Sequence, residues 1–210
     1  MEHPSDEHPE RIHVLYVNGD ADFAELARAK LERIAPRVTV TTVGDARGAL
    51  DRAIEGSADC LVTSYSLPEG TGIDLVSRVE TERPDLPTVL FTGRGSERIA
   101  SEATQAGVSD YIPIHGTQDS FELLAGRIRT LVDAARKQAA AELLSDRFQR
   151  TLERATDAIY AVDDDWRVEY MNDTMAERVD RDPERIVGNT IWEAFPSIVG
   201  TELEERYRTA

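Results

Sequence analysis

Five short apolar runs alternate with longer amphipathic stretches before residue 120, and this alternation limits what the chain can fold into. The runs are Ile12–Val17, Val38–Val43, Cys60–Thr63, Thr88–Thr92 and Ser109–Ile112. Each is short, rich in β-branched residues and apolar at successive positions. Such a strand needs cover on both faces, as the strands of a parallel sheet have. Helices are expected between the runs. The first opens near Asp22, which stands three residues before Glu25 in the spacing of a capping box. Its apolar positions Phe23, Leu26, Ala27 and Leu31 fall on one face. Further helices fit Ala46–Ile54, Ile73–Glu82 and Glu97–Ala106. Strand–helix alternation of this kind gives a doubly wound α/β domain.

Around Asp119 the pattern changes. From there to about Thr156 there is no proline and one glycine, and the composition is helical. Phe121, Leu124, Ile128, Leu131 and Ala135 recur at alternating spacings of three and four, a seam for another helix. The seam fades through Lys137–Glu142 and resumes in a different phase with Leu144, Phe148, Leu152 and Ala155. One arrangement is a last domain helix running on into a coiled-coil connector with a break in register. The other is two helices with a bend near Gln138–Glu142. Two strand-like runs follow, Ala158–Val162 and Arg167–Met171, separated by Asp163-Asp164-Asp165-Trp166, which reads as a hairpin. Short helical pieces are expected over Thr174–Val179, over Pro183–Val187 opening at Asp182-Pro183, and over Thr201–Tyr207.

Charge excludes some functions. Forty acidic residues stand against 24 basic ones, for a net charge of −16. A chain this acidic repels phosphate backbones, so nucleic-acid binding by this region is not expected. Lys30 and Lys137 are the only lysines. Acidity with so little lysine resembles the cytosolic proteins of salt-loving archaea; an acidic protein from a GC-rich genome is the other reading. No stretch approaches the roughly 20 apolar residues of a membrane span, and Met1–Glu10 carries no signal peptide, so a cytoplasmic location is expected. The single cysteine, Cys60, sits in an apolar run and reads as a small buried hydrophobe. No Cys/His spacing suggests zinc, and His3 and His8 in the tail make no metal site.

Five motifs occur in order: Val17-Asn18-Gly19-Asp20 ending the first strand, Ser64-Tyr65-Ser66-Leu67-Pro68, Gly70-Thr71-Gly72-Ile73-Asp74-Leu75, Thr92-Gly93, and Ala106-Gly107-Val108-Ser109-Asp110-Tyr111. In this order and spacing they resemble the response-regulator receiver family over residues 12 to about 135. The resemblance implies a flavodoxin-like five-stranded parallel sheet, order 2-1-3-4-5, with the site at the carboxyl ends of its strands. In that family two acids after strand 1 help to hold Mg²⁺. An aspartate ending strand 3 attacks phosphorus, and a Ser/Thr ending strand 4 and a lysine ending strand 5 neutralise the transferred group. Carried onto this chain, the acid pair falls on Asn18 and Gly19, the nucleophile on Ser64 and the lysine on Ile114; Thr92 alone keeps its identity. Asp20, just past the pair, is better placed to open the first helix. The strand-5 aromatic that reports phosphorylation falls on Tyr111, either a retained lever or a ring packed against the sheet edge. Gly93-Arg94-Gly95-Ser96 lacks the lysine of a phosphate-binding loop and reads as a loop and helix start.

Three later segments, Asp157–Asp163, Trp166–Asn172 and Gly188–Pro196, resemble the first half of a PAS sensor domain over residues 150–210, without the strands that close its pocket. No flavin-reactive cysteine motif is present and no histidine follows His115, so no cofactor is expected. The sequence thus divides into a disordered acidic tail (1–10), a receiver-like domain (11–135), a helical connector (136–156) and the N-terminal half of a PAS domain (157–210). The expected function is a non-enzymatic, phosphorylation-incompetent regulatory module that dimerises and is coupled to the PAS segment, as in haloarchaeal receiver–PAS regulators and hybrid kinases. Any catalytic or DNA-binding output would lie beyond residue 210. The seam Leu124, Ile128, Leu131, Leu144, Phe148 and Leu152 is expected to carry the dimer. Two rivals stand beside this reading: a phosphoacceptor still active through Ser64 or Asp20, and a small-molecule sensor.

Overall fold

The computed structural model describes residues 11–93, 96–115, 119–153 and 157–209, side chains of 203, 207 and 208 apart. The acidic tail with His3 and His8, the Arg94–Gly95 stretch and residues Ala155 and Thr156 lie outside that set. Two compact units are present, Met1–Ala139 and Ala140–Ala210.

The first unit is built on a sheet of β1 (Ile12–Val17), β2 (Val38–Val43), β3 (Cys60–Thr63), β6 (Thr88–Thr92) and β7 (Asp110–Pro113). All pairings are parallel, and the order is β2-β1-β3-β6-β7. A two-residue ladder of β4 (Ser66–Leu67) with β5 (Gly70–Thr71) lies outside this sheet, so the main order is the 2-1-3-4-5 expected. The fifth strand begins one residue later than the sequence suggests. Because successive side chains point to opposite faces, each strand feeds two cores. Val14, Tyr16, Cys60, Val62 and Phe91 pack with Ala27 and Leu31 of α1 (Ala21–Ile34) and with Leu124 and Ile128 of α5 (Asp119–Glu153). On the other face Leu15, Val17 and Leu61 meet α2 (Ala46–Ile54) and α3 (Gly72–Glu82). Leu90 packs with Ile99 and Ala103 of α4 (Glu97–Gln105).

α1 to α4 each start where a short polar side chain satisfies the first amides. Asp20 accepts from the Phe23 amide at 3.0 Å, Asp45 from Gly48 at 2.8 Å and Ser96 from Ile99 at 3.2 Å. Thr71 and Asp74 form a reciprocal capping box. The Asp22–Glu25 pair is therefore not the cap of α1; Asp22 lies in its first turn and Glu25 pairs with Arg28. Leu26 is exposed, because the buried face centres on Ala24, Ala27 and Leu31, and Leu26 lies about a third of a turn off it.

The structure also corrects the seam. α5 is one helix of 35 residues, without two separate segments. Phe121, Leu124 and Ile128 are fully buried and Leu131 partly so, all in the first unit's own core. Their three–four spacing registers the helix against the sheet, leaving Leu124 and Ile128 no surface for a second chain. Arg127 pairs with Asp110 at 2.8 Å and Arg136 with Asp59 at 2.9 Å, and Arg136 also donates to the Arg11 carbonyl. Beyond Arg136, every residue from Lys137 to Arg150 is exposed, Leu144 and Phe148 among them.

In the second unit β8 (Tyr160–Val162) pairs antiparallel with β9 (Val168–Met171). The Asp163 carboxylate shapes the turn by accepting from the Asp165 and Arg167 amides. Then come α6 (Asp173–Val179), α7 (Pro183–Ile186), α8 (Ile191–Ala194), a 3-10 turn at Pro196–Ile198 and α9 (Glu202–Thr209). Neither α8 nor the 3-10 turn was expected: a four-residue helix is too short to show a period. Val168, Met171, Ile186 and Ala194 form a small core.

Burial pushes the Cys60 thiol up from 9.0 to about 12, with the Asp59 charge adding to it. Burial likewise pushes the Tyr16 hydroxyl from 10.0 to about 12, and the polar Asn18 side chain nearby offsets only part of this. Both groups stay neutral in the fold while the unfolded chain ionises. Their stabilisation is whole below pH 9 and is lost as pH climbs through about 12. Stability should thus fall from about pH 9, by up to about 1.4 kcal/mol per pH unit per group. Cys60→Ala should delay the onset to about pH 10; denaturant melts across this range check it, and an unchanged onset would refute it.

Candidate functional site

The loops at the carboxyl ends of β1, β3 and β6 border an open crevice of about 430 Å³. Its lining includes Asn18, Gly19, Asp20, Ser64, Pro68 and Thr92, so the fold brings residues of three of the five motifs together. A parallel sheet does this because loops of adjacent strands converge at one edge. A cavity of about 500 Å³ between β1, β2 and α2 contains none of the motif residues.

Gly72 sets the shape of the site. A β-carbon there would stand 2.1 Å from the Ser64 carbonyl oxygen and 2.8 Å from Thr63 Oγ1, so only glycine fits. The Gly72 amide donates to the Tyr65 carbonyl at 2.8 Å, which turns the chain back over the strand ends. The fold-back sets Pro68 against Gly19: a β-carbon at position 19 would lie 2.9 Å from Pro68 Cδ. Absence of an acid at 19 is therefore more than a missing charge. The space for its side chain is filled.

The remaining polar groups are engaged. Asn18 Oδ1 accepts from the Asp20 amide at 2.9 Å, and Ser64 Oγ donates to the Ser66 carbonyl at 2.9 Å. Asp20 is the one carboxylate among the described lining residues, and its Oδ1 is taken by the Phe23 amide. Thr92 is buried. A hard divalent cation seeks several oxygen ligands, carboxylates foremost, and this donor set does not fit it. Among the described residues no group of three or more His, Cys, Asp or Glu side chains is placed to hold a metal.

Two of the expected site residues lie apart from this lining. Ile114, whose amide donates to the Thr92 carbonyl, packs with Phe23 and Leu131 against the α1–α5 core. Tyr111 is half-buried among Leu90, Ile99, Ala103 and Tyr65, as a ring packed at the sheet edge would be. Sequence reasoning missed that Pro68 roofs the position of Gly19, and that Ser66, Leu67 and Gly93 line the cavity. The paired glycines Gly70 and Gly72 were the signal that a backbone approach was close.

A doubly wound sheet of this order with a crevice at its carboxyl edge has the flavodoxin-like architecture. Residues 14–119 match the description "Response regulator receiver domain", and the chain belongs to that family. Residues 152–210 match "PAS fold". The chain is 37% identical over 112 residues to Methanogenesis regulatory protein FilR1 of Methanothrix harundinacea, covering 50% of this chain and 24% of that protein. It is 26% identical over 136 residues to Transcriptional regulatory protein FixJ of Bradyrhizobium diazoefficiens, covering 64% and 65%. For FilR1 and the phosphodiesterase response regulator RpfG of Xanthomonas campestris the match spans about a quarter of their length, 24% and 27%. A CheY-like receiver from Methanospirillum hungatei superposes with a TM-score of 0.54 at 19% identity, over 61% of this chain and 99% of that one. That likeness shows the fold. No helix among the described residues is long and apolar enough to cross a membrane.

Contact between Gly19 and Pro68 predicts an asymmetry between variants that place an acid at position 18 or at position 19. Gly19→Asp should lose about 1–3 kcal/mol, the usual cost of overpacking, whereas Asn18→Asp should stay within about 1 kcal/mol of the parent. Urea unfolding of the two variants compares them; equal stabilities would mean that the Pro68 loop gives way freely.

Proposed function

We propose that this chain is a regulatory signalling module whose receiver domain accepts no phosphoryl group. The domain acts through protein–protein contact, self-association included, and is coupled through the helical connector to the PAS segment. The observation that carries this reading is the state of the crevice. Pro68 fills the place of the second acid, Ser64 stands where the nucleophile belongs and is bonded to its own loop, and the one carboxylate caps a helix. A serine hydroxyl without a base to activate it is a poor nucleophile. Asp20 as surviving acceptor is disfavoured because one of its two oxygens already caps α1.

Self-association is assigned to the connector around Leu143, Leu144 and Phe148, all more than half exposed. A helix bare on every side is marginal in water and gains from a partner. Leu124, Ile128 and Leu131 are left to the domain core. The domain limits are those of the sequence reading: tail to residue 10, receiver to 135, connector to 156, PAS segment from 157. Net charge −16 with two lysines supports a haloarchaeal, cytoplasmic setting without nucleic-acid contact by this region.

Incubation with Mg²⁺ and acetyl phosphate in molar KCl, followed by intact mass and sedimentation, tests the proposal. The mass should stay unshifted beside a labelled control receiver. The monomer–dimer equilibrium should be the same with and without acetyl phosphate. A gain of one phosphoryl group, or no dimer at any concentration, would contradict it.

A further inference from the structure

Among the described residues of the second unit, Asn172 is the fully buried polar one, and its side chain is completely satisfied. Oδ1 accepts from the Ile159 amide at 2.9 Å and from the Met175 amide at 3.0 Å. Nδ2 donates to the Leu152 carbonyl at 3.1 Å and to the Asp157 carbonyl at 3.0 Å. Two N–H groups on one side and two carbonyls on the other fix which atom of the amide is which.

The two halves of this amide serve different elements. Its acceptor half fastens the start of the β8 strand and caps α6. Its donor half holds the last turn of α5 at Leu152 and, across residues 154–156, the chain at Asp157. Carbonyls in the last turn of a helix lack an intrahelical partner, so Leu152 offers a ready acceptor. Next to it, Glu153 Oε1 accepts from the Tyr170 hydroxyl at 3.1 Å and Oε2 from the Asp173 amide at 3.3 Å. β9, the α6 cap and the end of α5 thus share one hydrogen-bonded joint. Residues 141–150 just upstream are all exposed, so this turn is where the helix becomes anchored within its unit.

We infer that Asn172 is the coupling residue of the PAS-fold segment: its amide donors pass a displacement of the β8–β9 hairpin to the last turn of α5. Without those donors the hairpin folds and the helix end is released. The inference rests on reading α5 as a connector and is independent of whether the receiver takes a phosphoryl group, so a labelled receiver would leave it standing.

Asn172→Asp separates the two roles in the full chain. A carboxylate keeps both acceptor bonds and is a good helix cap, but turns an acceptor on the carbonyls of Leu152 and Asp157. Hydrogen exchange read by mass spectrometry should show the amides of residues 145–153 exchanging about tenfold faster, the factor a lost buried hydrogen bond produces. Amides of the hairpin and α6 should keep their rates. Unchanged exchange over 145–153 would overturn the proposal. If the substitution unfolds the whole unit, Tyr170→Phe carries the test, since it removes only the tie to Glu153. A selective rise of about twofold or more over 145–153 then supports the joint, and no selective rise overturns it.

Discussion

Position 72 has no room for a β-carbon, and the geometry of the crevice follows from that one constraint. With glycine there, the backbone after β3 closes on Ser64 and the α3 helix starts from its Thr71–Asp74 box. The fold-back also brings Pro68 onto Gly19. Closing the crevice this way removes room as well as charge. A receiver of intact motif needs this edge of the sheet to gather a metal and three carboxylates. Among the described residues the same loops gather hydroxyls, an amide and a single carboxylate, one oxygen of which caps α1. On the proposed reading, the scaffold that positions the chemistry is retained and the groups that would perform it are replaced.

Much of this fold was legible in the sequence because parallel strands buried on both faces leave an unbroken apolar signature. Four of the five strands occupy the expected residues, and the α2 helix has the expected ends. What could not be read depends on partners distant in sequence. The three–four repeat of Phe121, Leu124 and Ile128 is the same whether it faces another helix or a sheet, and the core shows it facing the sheet. The β4–β5 ladder is two residues per strand, below any period. Asp22 and Glu25 have capping-box spacing, but Asp20 reaches the free amides first.

The site was legible in its residues and opaque in its contacts. Spacing to Pro68 located Ser64, and the order of motifs located Asn18, Gly19 and Thr92, all of which line the cavity. Spacing could not tell that Ile114 would turn into the α1–α5 core, or that Tyr111 would lie among Leu90, Ile99 and Ala103. Nor does any local pattern announce Asn172. Its four bonds reach residues up to 20 positions away, and an asparagine after a strand reads as an ordinary helix cap.

If the crevice has no affinity for a divalent cation, as proposed, paramagnetic Mn²⁺ will report it. Titrated into isotopically labelled protein in molar KCl, Mn²⁺ should broaden scattered acidic surface sites and leave the amides of Asn18, Ser64 and Thr92 no more affected than the rest. Selective, saturable broadening of those three amides, reversed by excess Mg²⁺, would show a working metal site and rule out a phosphorylation-incompetent crevice.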